Sequence, residues 1–304
     1  EASTVADRPL PAAGSPGAWF LAIRPKTLPA GAAPVLLGAA VASTDGPVRL
    51  DLALACLTVA VSLQAAANLA NDYFDARGGV DRVDRLGPTR VTQTGLLRPG
   101  QVLGGLLVAF AVGMAAGLYT AAHVGWWLVG LGLVCLLAVL AYTAGSLSFA
   151  RVGLGEVAAL VFFGPVACAG THAVLAGPPD AAAWIASLVP GLHAAAIMAV
   201  NNLRDRDTDA RAGKRTLAVR YGERAARLLP VGLLVLGNLA VAPVAWLAER
   251  PLAHLALLLL PLSRPLVRSY LRTPISPALN DVLARTGRWE LLTCTTLAGL
   301  LVIA

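Results

Sequence analysis

Charge is what this sequence has least of. Only 13% of its 304 residues are Asp, Glu, Lys or Arg, against about a quarter in an ordinary soluble domain. With 57% hydrophobic residues and a mean hydropathy of +0.70, this scarcity excludes a water-soluble globule and a disordered chain. Cysteine is sparse as well. Cys56, Cys135, Cys168 and Cys294 are scattered through apolar runs with no CxxC pair, which argues against a structural zinc site or a disulfide framework and leaves them as small core residues. Lysine is nearly absent, with Lys26 and Lys214 the only two. The net charge is +7, but long apolar stretches separate the basic residues, so no nucleic-acid partner is expected.

What the sequence has is long apolar runs. A bilayer core of about 30 Å needs roughly 20 apolar residues per helix, and nine stretches answer to that: 28–44, 51–75, 100–120, 124–145, 154–176, 181–204, 226–248, 251–271 and 288–304. The expected fold is an all-α polytopic bundle in the lipid bilayer. Of the basic residues outside these spans, all but Arg49 and Arg250 fall in the N-terminal arm and the loops after the second, fourth, sixth and eighth spans. The positive-inside rule then predicts a cytoplasmic N-terminus. Residues 1–17, rich in Pro, Ala and Gly, read as a flexible cytoplasmic arm, and 18–304 as a single transmembrane domain. The apolar run ending in Ala40-Val41-Ala42 has the outline of a cleavable leader, but Pro25, Pro29 and Pro34 interrupt it.

Polar residues at the mouth of a span are costly and therefore functional candidates. The second span ends in Asn68-Leu69-Ala70-Asn71-Asp72-Tyr73-Phe74-Asp75, and the sixth in Asn201-Asn202-Leu203-Arg204-Asp205-Arg206-Asp207-Thr208-Asp209. Residues three or four apart share a helix face. Asn68, Asp72 and Asp75 thus form one stripe of hard oxygen donors, and Asn201, Asp205 and Asp209 another. Two close carboxylates at the end of an apolar helix call for a divalent cation. Mg²⁺ takes one or two carboxylates together with phosphate oxygens and water, so the stripes are candidate sites for Mg²⁺ bridging a diphosphate. The adjoining Arg and Lys residues would pair with the remaining phosphate charge. The matched motifs also imply two pseudo-repeated four-helix units plus a ninth helix.

In these motifs the chain resembles the UbiA superfamily of intramembrane aromatic prenyltransferases, in particular its branch acting on 1,4-dihydroxy-2-naphthoate. Five stretches carry the likeness: Arg24-Pro25-Lys26-Thr27-Leu28-Pro29; Asn68 to Asp75; Asp84-Arg85-Leu86-Gly87-Pro88-Thr89-Arg90; Gly153-Leu154-Gly155-Glu156 with Phe162-Phe163-Gly164; and Asn201 to Arg220. Where the superfamily often has a third Asp, this chain has Gly79, and the next acid is Asp81. The resemblance implies nine helices around a central cavity in the cell inner (plasma) membrane, with an active site at the cytoplasmic end. The implied reaction is Mg²⁺-dependent transfer of a polyprenyl group from polyprenyl diphosphate to dihydroxynaphthoate with decarboxylation, giving demethylmenaquinone in menaquinone biosynthesis.

On this reading Asn68, Asp72, Asp75, Asn201, Asp205 and Asp209 hold metal and diphosphate. Lys26, Arg85, Arg90, Lys214 and Arg215 are diphosphate partners. Tyr142, Tyr73, Phe74, Phe162 and Phe163 are candidates to face an allylic cation, and Glu156 either orients the acceptor or pairs with Arg151. His172 and His193 read as core or cavity residues. The same motifs would serve another aromatic prenyltransferase of the superfamily or an intramembrane terpene cyclase. Duplicated halves also fit a secondary transporter, which leaves the two Asn–Asp stripes without a purpose.

Overall fold

The computed structural model describes residues 10–77, 86–87, 90–143 and 149–303, with the side chains of residues 75, 77, 142, 143 and 150 outside the description. Arg85, Asp81 and the side chains of Asp75 and Tyr142, all named from the sequence, therefore lie outside the described residues.

Every regular element among the described residues is helical. The chain opens with α1 (Pro16–Ile23), a 3₁₀ turn (Pro25–Thr27), α2 (Leu28–Asp45), α3 (Leu50–Arg77), α4 (Pro99–Val124) and α5 (Trp127–Thr143). It continues through α6 (Phe149–Val152), α7 (Gly155–Val161), a π-helical stretch (Phe162–Ala169), α8 (Gly170–Ala176), α9 (Ala181–Arg211), α10 (Leu217–Leu239) and α11 (Val241–Leu247). A 3₁₀ segment (Pro251–Leu258), α12 (Leu259–Leu262), α13 (Arg264–Arg272) and α14 (Leu279–Ile303) complete it. Side chains cap some of the helix starts. The Asp180 carboxylate accepts from the Ala183 N–H at 2.7 Å to begin α9, and Ser15 caps α1.

Among the described residues six helical stretches are long and apolar enough to cross a membrane: Pro16–Asp45, Leu50–Phe74, Pro99–Val124, Gly155–Ala176, Ala181–Arg211 and Leu217–Leu247. The nine expected from the sequence are not all met on these criteria. The fourth expected span corresponds to the shorter α5. The eighth is broken into a 3₁₀ segment and two short helices, where Pro251, Pro261 and Pro265 each remove a backbone donor. The ninth lies within α14, which begins earlier and takes in Asp281, Arg285, Arg288 and Glu290.

Helix α9 runs through the interior. With α2 and α14 it forms a core of small and aliphatic residues that includes Ala33, Leu37, Val41, Ala186, Val189, Cys294 and Leu297. The run that resembled a leader, up to Val41, is part of this core. Small residues allow the close approach. A Cβ on Gly164 would lie 2.7 Å from the Ser187 carbonyl, and one on Gly191 equally close to that of Leu160, so the π-helical stretch packs backbone to backbone on α9. A second cluster joins α1, α3, α4 and the segment before α4 through Ala18, Ala66, Leu69, Val91, Leu97 and Leu106. A third ties the polar end of α9 to α10, α13 and α14 through Leu203, Leu234, Leu266, Tyr270 and Leu279.

Candidate functional site

The first acidic stripe is built by packing a turn and a loop against the end of α3. Arg24 adopts a left-handed conformation (φ 54°) between α1 and the Pro25–Thr27 turn, which costs a non-glycine residue about 1–2 kcal/mol. Asn68 helps to offset it. Its side-chain amide donates to the Ile23 carbonyl at 2.8 Å and to the Thr27 hydroxyl at 2.9 Å. Lys26 is thereby held beside α3 with its side chain exposed. One turn further along α3, Asp72 is 1% exposed. It accepts from the Thr92 hydroxyl at 2.9 Å and the Val91 N–H at 3.3 Å. Arg90, immediately before these two, is buried.

The second stripe, on α9, is held by charge. Arg204 is 2% exposed, and its guanidinium donates to both carboxylate oxygens of Asp205 at 2.8 and 2.6 Å and to the Asn201 oxygen at 2.8 Å. Its remaining nitrogen donates to the Asn280 oxygen at 2.7 Å. The Asn280 amide in turn donates to the Leu86 carbonyl at 2.8 Å. Asn280 therefore ties the second stripe to the segment that follows the first, and both motifs belong to one polar end of the bundle.

At the end of α9, the Lys214 ammonium pairs with Asp209 at 2.7 Å. Arg215 is exposed, and its N–H donates to the Arg151 carbonyl at 2.8 Å. This junction needs Gly153, whose φ is +83° and whose Cβ position falls on the Arg215 carbonyl. Asp207 points away from the stripe, with an exposed side chain paired to Arg206.

Glu156 does not pair with Arg151. It is 5% exposed, and one oxygen accepts from the Asn202 amide at 2.9 Å while the other is buried without a hydrogen-bond partner. His172 meets Asp45 at 3.0 Å. His193 sits against the Val189 carbonyl and Asn238, consistent with core roles. Tyr73 and Phe74 pack edge to face with centroids 5.3 Å apart.

Sequence reasoning missed Thr92, Arg204 as a clamp, Asn202 and Asn280. Of these only Arg204 carried a local signal, one turn from Asn201 on α9. It also passed over Glu290, fully buried on α14 with both carboxyl oxygens unpartnered.

The donor set suits Mg²⁺. The oxygens of Asn201 and Asp205 already converge on one cationic group, and Asp209 meets another. Among the described residues no three His, Cys, Asp or Glu side chains form a protein-only cage.

The model of the UbiA prenyltransferase family matches residues 32–278. The chain belongs to that family. It is 40% identical to the 1,4-dihydroxy-2-naphthoate octaprenyltransferase of Mycobacterium tuberculosis over 220 residues, 72% of this chain and 75% of that protein. It is 34% identical to the enzyme of the same name from Escherichia coli, with 91% and 92% covered. A UbiA homolog from Archaeoglobus fulgidus bound to GPP and Mg²⁺ shares the fold with a TM-score of 0.68 at 18% identity, covering 94% of this chain and all of that one. A UbiA homolog from Aeropyrum pernix gives 0.66 at 13% identity, with 90% and 97% covered. Family membership and the apolar helices make this a multi-pass membrane protein.

Proposed function

We propose that this UbiA-family protein transfers a polyprenyl group from polyprenyl diphosphate to 1,4-dihydroxy-2-naphthoate, the step that leads to demethylmenaquinone in menaquinone biosynthesis. The observation that carries the reading is the Asn280 bridge, which links the second Asn–Asp stripe to the segment following the first, in a chain whose relatives bear that enzyme's name.

The allylic C–O bond breaks and its electron pair leaves with the diphosphate. A ring carbon supplies the pair for the new C–C bond, and the carboxylate departs as CO₂, returning its bonding pair to the ring. Asn68, Asp72, Asp75, Asn201, Asp205 and Asp209 hold Mg²⁺ and the diphosphate. Bound Mg²⁺ supplies charge neutralisation on the departing oxygens. Lys26, Arg85, Arg90, Lys214 and Arg215 stabilise the same developing charge. Lys214 exchanges Asp209 for phosphate to do so. Glu156, held by Asn202, offers its free oxygen to an acceptor hydroxyl. Tyr142, with the other aromatic candidates, faces the allylic cation.

The remaining organisation follows the same reading. Residues 18–304 form one catalytic domain of two four-helix units and a ninth helix. Nine crossings comprise the six long apolar stretches, α5, the 251–272 segment and α14. The basic loops orient the N-terminus and active site to the cytoplasmic face of the plasma membrane.

The test is incubation of the purified protein with Mg²⁺, 1,4-dihydroxy-2-naphthoate and polyprenyl diphosphates of several lengths, with products identified by mass. A decarboxylated, prenylated product is expected. Its absence at every length would overturn the acceptor assignment. Diphosphate release without acceptor would point to a cyclase.

A further inference from the structure

The seam between α13 and α14 gathers arginines that the prenyl-transfer chemistry leaves unused. Arg264, Arg268 and Arg272 follow one another at four-residue spacing on α13, and all three are exposed. The opposite face of α13 is buried through Leu266 and Tyr270. Across the seam, Arg285 of α14 donates to the Ser269 hydroxyl at 3.0 Å, and Tyr270 and Thr286 share a 3.0 Å hydrogen bond. These two bonds pin the middle of α13 to the first half of α14. Arg268, next to Ser269, and Arg288, one turn beyond Arg285 and also exposed, therefore flank the same contact.

Both elements change character around that contact. Before α13 exposed leucines predominate, at Leu255, Leu258 and Leu262, with His254 among them, and beyond Arg288 Leu292 and Val302 are exposed, with Thr295 between them. In a membrane protein, a matched change from exposed leucine to exposed arginine on neighbouring helices marks the border between hydrocarbon and headgroups. The acids around the seam leave these arginines unmatched. Among the described residues Asp281 makes no ion pair, Glu223 on α10 is taken by Arg227 and Arg206, and Glu290 is buried. Arg227 itself donates to the Tyr270 and Thr273 carbonyls, pinning α13 in place. None of Arg264, Arg268, Arg272 and Arg288 makes an ion pair or side-chain hydrogen bond among the described residues.

We propose that the α13–α14 seam is a binding site for the headgroup of an anionic phospholipid, with Arg264, Arg268 and Arg288 as the phosphate-binding side chains. Basic pockets between membrane helices at headgroup depth recognise such lipids by charge-assisted hydrogen bonds. The site depends on the protein's place in a membrane and not on the acceptor assigned above, and binding is read without turnover.

Protein would be reconstituted in nanodiscs of phosphatidylcholine alone or mixed with phosphatidylglycerol, then released into the gas phase to weigh retained lipid. Wild type should retain phosphatidylglycerol in preference to phosphatidylcholine. R268Q should weaken that retention about fivefold, and R264Q/R268Q/R288Q should lower it by about the product of three such factors. Replacing the same three arginines by lysine should preserve most of it. Inorganic phosphate added to the detergent-solubilised protein should not displace the lipid. Equal retention of both lipids, a triple Gln variant that holds phosphatidylglycerol as wild type does, or displacement by inorganic phosphate would each overturn the proposal. R268Q alone serves if the triple variant does not fold.

Discussion

The two Asn–Asp stripes share a spelling but hold their charge by different means. On α3, Asp72 accepts from a hydroxyl and a backbone amide, both neutral. On α9, Asp205 is gripped on both oxygens by a nearly buried guanidinium. Neutral donors orient a carboxylate without cancelling its charge, whereas Arg204 orients and neutralises at once. The two stripes therefore share their donors and not their electrostatics. Among the described residues Asp72 meets only uncharged donors, while Asp205 already holds a cationic partner.

The largest effects should come from the carboxylates themselves. Asp72→Ala and Asp205→Ala should each lower turnover by at least about 10²–10³-fold, the scale of losing one strong electrostatic contact to the transition state, with the protein still monodisperse in detergent. Near-normal turnover in both would remove metal and diphosphate from these stripes. Next comes stability. Arg204→Ala leaves Asp205 without its ion partner and should cost about 3 kcal/mol in unfolding free energy. Thr92→Val removes one neutral donor from Asp72 and should cost about 2 kcal/mol. If denaturant titration ranked Thr92→Val above Arg204→Ala, the contrast between the stripes would be lost.

How far the sequence could be read follows from the range of each interaction. Asn68, Asp72, Asn201, Asp205 and Asp209 were legible because helical periodicity puts them on one face within a few residues. What holds them was not. Thr92 lies twenty residues beyond Asp72, Glu156 is forty-six residues from Asn202, and Asn280 is seventy-six from Arg204. A local pattern carries no sign of such distant hydrogen bonds. The long apolar helices were legible from hydropathy. The 251–271 run was misread as one helix because its apolar count outweighed three prolines, and Arg264 and Arg268 inside it already signalled a different environment for its second half.

Asn280 offers the finest test of the comparison. It joins the charged clamp on α9 to the Leu86 carbonyl in the segment after the α3 stripe, so its removal should loosen the link between motifs while leaving the Arg204–Asp205 ion pair in place. Asn280→Ala should cost only about 1 kcal/mol in stability, the scale of net hydrogen-bond loss. Because it acts through Arg204, its effect should shrink when Arg204 is already alanine, and the two changes should not add. Combined with Thr92→Val, which touches only the other stripe, it should add fully. A double-mutant cycle in detergent reads both cases. Full additivity with Arg204→Ala would mean that Asn280 supports the fold through Leu86 alone, and that the two stripes are neighbours without being coupled.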